Sequence, residues 1–190
     1  AGSVEALLWY VVGVCAHFGV TKHPSRQIRY WLTIEKALDL AACWEFNNRG
    51  FIYTPMMEQY VQQGYVLSNQ LLYAAALRGA GTAFNNKEWQ KKGVQLQEAL
   101  ALNYWPQKEL LGDARIYHPA AYRAHCEQTE TRYWLPAFSP AGYTTRFDAL
   151  AHALALLTGL GSEEQRRSAD TYVEELARQT GSQVLPAFWP

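Results

Sequence analysis

The sequence predicts an all-α fold of helical hairpins, and three observations carry that reading. Apolar residues recur at helical spacing over most of the 190 residues, and helix start and stop signals fall between those stretches. Strand-like alternation is nearly absent, limited to short ribbons around "GFIYT" and "RYWLP". About six helices in three hairpins result, and residues 1–190 read as one α-helical domain.

The first helix runs from about Val4 to Phe18, where Val4, Leu7, Leu8, Val11, Cys15 and Phe18 share a face. "GVTKHPS" breaks it. A second helix follows from Pro24 to about Trp44, with Ile28, Trp31, Ile34, Leu38 and Ala41 on one side and Arg29, Lys36 and Asp39 on the other. The stretch "VLSNQLLYAAALRGAGTAF" is apolar nearly all round, so the third helix should be buried on most sides. Asn86 supplies an N-cap for the fourth, which reaches about Tyr104 before Pro106.

From Trp105 to Thr144 no period is sustained, and Pro119, Pro136 and Pro140 interrupt the chain. This reads as a long aromatic excursion with one short helix around "PAAYRAHCEQ". Thr145, three residues before Asp148 in capping-box spacing, opens a fifth helix through "TTRFDALAHALALLTGLG", in which Asp148 is a helix-start residue. Ser162 and Gln165 repeat the signature for a sixth helix ending near Gly181. The alternation of a more apolar helix with a more charged one suits a layered or toroidal stack.

Composition narrows the function. Seventeen basic and seventeen acidic residues cancel, so nothing steers the chain toward nucleic acid or anionic lipid. "VEALLWYVVGVCAHFGV" lacks a basic leading region and fits a buried soluble helix better than a signal or spanning segment, so no membrane partner is expected. Three cysteines, Cys15, Cys43 and Cys126, form no C-x-x-C pair, which points to a reducing, cytoplasmic setting. The aromatic share of 14% exceeds what a helical core needs, and some of those rings are expected to line a cleft for flat ligands. His118, His125 and Cys126 match no zinc spacing, and neither a G-x-S-x-G turn nor a phosphate loop is present, so no metal or cofactor is expected. His152, on an apolar helix, reads as a satisfied core histidine.

The segment "CWEFNNRGFIYTP", the stretch "GYVLSNQLLYAAALR" and the later "FSPAGYTTRFDALAHALALLTGLGSEEQ" resemble, in that order, the catalytic domains of bacterial amylo-α-1,6-glucosidase-like proteins of the six-hairpin glycosidase superfamily. The resemblance implies an (α/α)6 toroid of twelve helices, of which this chain would form a partial toroid of about six. It also implies carboxylate acid/base hydrolysis of α-linked glucosides. Where the family has an acidic, tryptophan-containing loop before G-Y-V-L, this chain has "MMEQYVQQ", which leaves Glu58 as the carboxylate. The family's G-N-A-L-A is "AHALA" here, from Ala151 to Ala155.

Glycoside hydrolysis ordinarily needs two carboxyl groups, roughly 5 Å apart for retention or about 6.5–9.5 Å for inversion, one of them kept protonated. Glu58, among Met56, Met57 and Tyr60, is the candidate acid. Glu45, Asp113, Glu127 and Glu130 are candidates for its partner, as is a residue outside this chain. Trp44, Asn47, Asn48, Arg49, Tyr53, Tyr65 and Trp134 are the candidate subsite residues for an oligosaccharide or glucoside. Core packing is the competing reading for the aromatic ones, and "NNRG" equally makes a C-cap and turn. The alternative function is a noncatalytic helical domain that binds a sugar or a protein. Half a toroid would also expose an apolar flank, so self-association or the remainder of a longer chain is expected to cover it.

Overall fold

A computed structural model describes residues 3–21, 24–55, 64–181 and 186–189. Among them are seven α-helices: α1 (Val4–Thr21), α2 (Pro24–Ala42), α3 (Leu67–Ala83), α4 (Lys87–Asn103), α5 (Pro119–Gln128), α6 (Ala149–Thr158) and α7 (Glu163–Thr180). The fold is mainly α, with a small antiparallel sheet. Six helices match those expected, and α5 is the short helix foreseen in the excursion.

Local chemistry sets the ends of several helices. Asn86 caps α4 by accepting from the backbone N–H of Glu88 and Trp89. Ser162 and Gln165 form the expected capping box on α7. Gly159 and Gly181 close α6 and α7 in left-handed backbone. The start of α6 differs from expectation. It begins at Ala149, because Phe147–Asp148 (β4) pairs antiparallel with Phe188–Trp189 (β5) and is extended. Asp148 is then the N-cap, its Oδ1 accepting from Ala151 N at 3.0 Å.

α3 is the centre of the molecule, packed against α1, α4 and α6. Its buried residues surround the helix, as its nearly continuous apolar sequence requires. One main core extends from Leu8 of α1 to Ala169 of α7, and Leu102, Ile116, Tyr122 and Cys126 form a smaller cluster under α5. α7 is tied to the segment before β4: Ser168 donates to Arg132 O, and the Tyr172 ring lies against Tyr133 and Phe147.

The three-stranded sheet joins Tyr65–Val66 (β1), Ala137–Ser139 (β2) and Gly142–Thr144 (β3) in that order, all antiparallel, with Tyr65 opposite Phe138. The ribbon expected at "RYWLP" thus begins just beyond it, at Ala137. "GFIYT" contributes a single bridge, Thr54 to Gly64.

Candidate functional site

The segment after α2 is held by buried amides of α3. Gln70, fully buried, accepts from Ile52 N through Oε1 at 3.0 Å and donates to Ile52 O through Nε2 at 2.5 Å, replacing a strand partner. Asn69 donates to Thr54 Oγ1 at 2.9 Å. Thr54 and Gly64 then exchange two backbone hydrogen bonds, at 2.7 and 3.0 Å, across the base of residues 55–63. Glu58 lies outside the described residues; the described ends of its segment are those paired residues and the adjoining Tyr53 and Tyr65.

The turn before this segment is shaped by its own residues. Asn48 and Gly50 have φ of 51° and 88°, the left-handed backbone that asparagine and glycine accept. Glu45 accepts from Gly50 N at 2.7 Å and pairs with Lys92 of α4 at 2.8 Å. Exposed Arg49 donates to the carbonyls of Tyr117 and Ile116, both at 3.0 Å, and its guanidinium lies 4.7 Å from the centre of the Tyr117 ring. That clamp brings the loop before α5 to the loop after α2.

A polar relay crosses the junction. Asn47 Nδ2 donates to Tyr117 Oη at 3.0 Å, and Tyr117 Oη donates to Tyr65 Oη at 2.9 Å. An amide nitrogen can only donate, so the direction of the relay is fixed at its Asn47 end. The Tyr65 hydroxyl accepts, and its own proton has no acceptor among the described residues. Tyr104 Oη holds Tyr65 from behind by donating to its carbonyl at 2.9 Å. Burial pushes the Tyr65 phenol far above its usual range, so it stays protonated.

His118 stands beside this end of the relay, its ring 5.8 Å from that of Tyr65 and 4.8 Å from that of Tyr117. Its Nε2 is buried without a hydrogen-bond partner. Burial first, and then Arg49, lowers its pKa, so the ring is neutral near neutral pH. Phe51, Tyr104 and Phe138 form the floor beneath Tyr65. The junction thus holds one hydroxyl proton and one orphaned imidazole nitrogen, both buried, on rings whose centres are 5.8 Å apart.

Of the residues expected from sequence, Asn47, Arg49, Tyr53 and Tyr65 converge here, with Tyr53 edge-on to Tyr65 at 5.5 Å. Asn48 shapes the turn. Trp44 is half-buried against the core and meets Phe46. Trp134 is elsewhere: it is 2% exposed, packed against Trp105 and His152, and its Nε1 has no partner. An enclosed indole cannot stack on a ligand, so Trp134 is a core residue. His152 is likewise in the core, but its Nδ1 is unpartnered rather than satisfied.

Two other candidates have structural work. Asp113 is bound by Arg115, whose side chain holds its carboxyl down at about 2, so it is ionised and no acid. His125 pairs with Thr131 at 3.2 Å. Sequence reasoning missed Tyr117 altogether and weighed His118 only as a metal ligand; neither sits in a pattern that announces its neighbours. No model of a known family matches this chain, and no curated protein matches it.

Proposed function

We propose that this chain is a carbohydrate-active, glycoside hydrolase-like domain whose ligand face is the junction of Asn47, Arg49, Tyr53, Tyr65, Tyr117 and His118. The observation that carries the reading is the pair of unsatisfied groups at the end of the relay. A sugar hydroxyl both accepts and donates, so it can take the Tyr65 proton while giving its own to neutral His118. The half-buried Tyr53 ring suits the apolar face of a pyranose. Glu58, which follows Thr54 and precedes Gly64 in sequence, is assigned the general acid: it protonates the glycosidic oxygen as the C–O bond breaks, water adds its oxygen to the anomeric carbon, and the proton that water releases restores Glu58. The substrate class is α-linked glucosides, with an oligosaccharide or glucoside as ligand.

The helical arrangement supports a partial (α/α)6 toroid: α1, α3 and α6 lie side by side, and α2 and α4 follow the first two as more polar partners. A second reading, a noncatalytic sugar-binding domain, is favoured by a specific observation. Among the described residues no carboxylate bonds into the relay, and Glu45 and Asp113 are engaged by Lys92 and Arg115.

Sugar release from a panel of α- and β-linked oligosaccharides separates the two. Release by the parent and its loss in Glu58→Gln supports hydrolysis. Binding without release by either protein selects the second reading, and neither binding nor release removes both.

A further inference from the structure

α3 starts without a capping side chain. Its N-cap is Val66, which has no acceptor to offer, so the first-turn N–H groups need acceptors from elsewhere. Leu67 N has one in Pro136 O at 2.7 Å. Ser68 and Asn69 follow in the same turn, 7% and 5% exposed, and no capping side chain serves them. Two other helices begin differently: Asn86 receives two N–H groups of α4, and Ser162 receives one of α7. A helix start left open inside a fold presents N–H donors and a partial positive charge to any oxygen that reaches it.

A second observation lies on the same turn. Asn69 Oδ1 is buried and has no hydrogen-bond partner. Helix side chains tilt toward the amino end, and Asn69 Nδ2 reaches back to Thr54 Oγ1 at 2.9 Å, so the orphaned oxygen belongs to an amide turned toward the open end. The fold does satisfy amides here when it uses them only for structure: the next residue, Gln70, engages both its amide atoms with Ile52. A buried amide oxygen without a donor costs stability, and this one is kept beside donors that lack a cap.

The two needs are complementary. An N–H calls for an acceptor and Oδ1 calls for a donor, and a hydroxyl group is both. An anion would answer the N–H groups but would face the lone pairs of Oδ1. Tyr53 and Thr54 are half-buried, so the Asn69 amide lies one side chain in from the surface. Thr54 pairs with Gly64, and Tyr53 meets Tyr65 edge-on at 5.5 Å, which sets this turn beside the residue that ends the relay from Asn47.

We propose that the first turn of α3, together with Asn69, is a second hydroxyl subsite, which takes another hydroxyl of the oligosaccharide held at Tyr65 and His118. This rests on the carbohydrate reading. The test is calorimetry with maltotriose, isomaltotriose and their monodeoxy derivatives, using the parent, Asn69→Leu, Asn69→Asp and Trp134→Phe, each checked for folding by circular dichroism. One deoxygenation should cost the parent and Trp134→Phe about tenfold and cost Asn69→Leu nothing further, a pattern that a purely structural role for Asn69 would not produce. Asn69→Asp keeps an acceptor and charges it, so the same deoxygenation should cost it more than it costs the parent. Parent-like losses for every derivative in both Asn69 variants would overturn the inference and leave the carbohydrate reading in place; the Asp variant alone decides if Asn69→Leu does not fold. Inorganic phosphate bound by the parent but not by Asn69→Leu would overturn it in favour of an anion at the helix end. If the parent binds none of the sugars, the carbohydrate reading fails and takes this inference with it.

Discussion

Two aromatic clusters in this chain have the same kind of residues and opposite polar states. Around Tyr65, hydroxyls and an amide are linked donor to acceptor from Asn47 through Tyr117, and the unsatisfied groups come at the end of the relay. Around Trp134, an indole N–H and an imidazole nitrogen are shut into the core with no partner at all. Under the proposed function, the relay that stops short at a junction of loops takes a ligand hydroxyl. Orphaned atoms with no relay beside them only cost stability, since burying an unpaired polar group is unfavourable.

The largest effects should come from removing the rings on which each cluster rests. Phe51→Ala and Trp134→Ala should each lose about 3–5 kcal/mol in urea denaturation, since both rings are at most 2% exposed. The milder Trp134→Phe should leave sugar binding intact. If it abolishes binding while the protein stays folded, the two clusters do not have separate uses.

Tyr65→Phe comes next, at about 1–2 kcal/mol, because it strands the buried proton of Tyr117. Sugar binding should be lost with it, as the terminal donor is gone. Retained binding would show that the relay does not face the ligand.

Acid should affect the clusters differently. Burial lowers the pKa of His152 below its usual 6.5, an effect Asp170 partly offsets, so the unfolded chain takes up protons first as pH falls. The contribution of neutral His152 is therefore complete above 6.5 and is lost as pH drops below it. His152→Leu should flatten the stability profile there. His118 is also depressed, by burial first and Arg49 second, so its protonation in the same direction should weaken sugar binding by removing the acceptor. His118→Gln should make binding less dependent on pH; an unchanged profile would exclude His118 from the ligand face.

Much of the fold could be read locally, because caps act over three or four residues: Asn86 and the Ser162–Gln165 box are where the sequence puts them. The start of α6 could not, since it depends on Phe147 and Asp148 pairing with a strand some forty residues later. The loop carrying Asn47 and Arg49 was legible as unusual, but its closeness to Tyr117 was not, because nothing local encodes a contact across 70 residues. Tyr65 and Trp134 were indistinguishable as loop aromatics; tertiary packing buries both and makes one of them the end of a relay.

The smallest effect on stability should come from Asn47→Ala, within about 1 kcal/mol, because the residue is exposed and gives up one hydrogen bond. It therefore provides the most direct test of the central claim. Titrating an α-linked gluco-oligosaccharide into the parent, Asn47→Ala and Trp134→Phe by calorimetry should give binding to the parent and to Trp134→Phe, and a loss of about tenfold or more for Asn47→Ala. Equal binding by all three, or a loss confined to Trp134→Phe, would contradict the assignment of the Tyr65 junction as the ligand face.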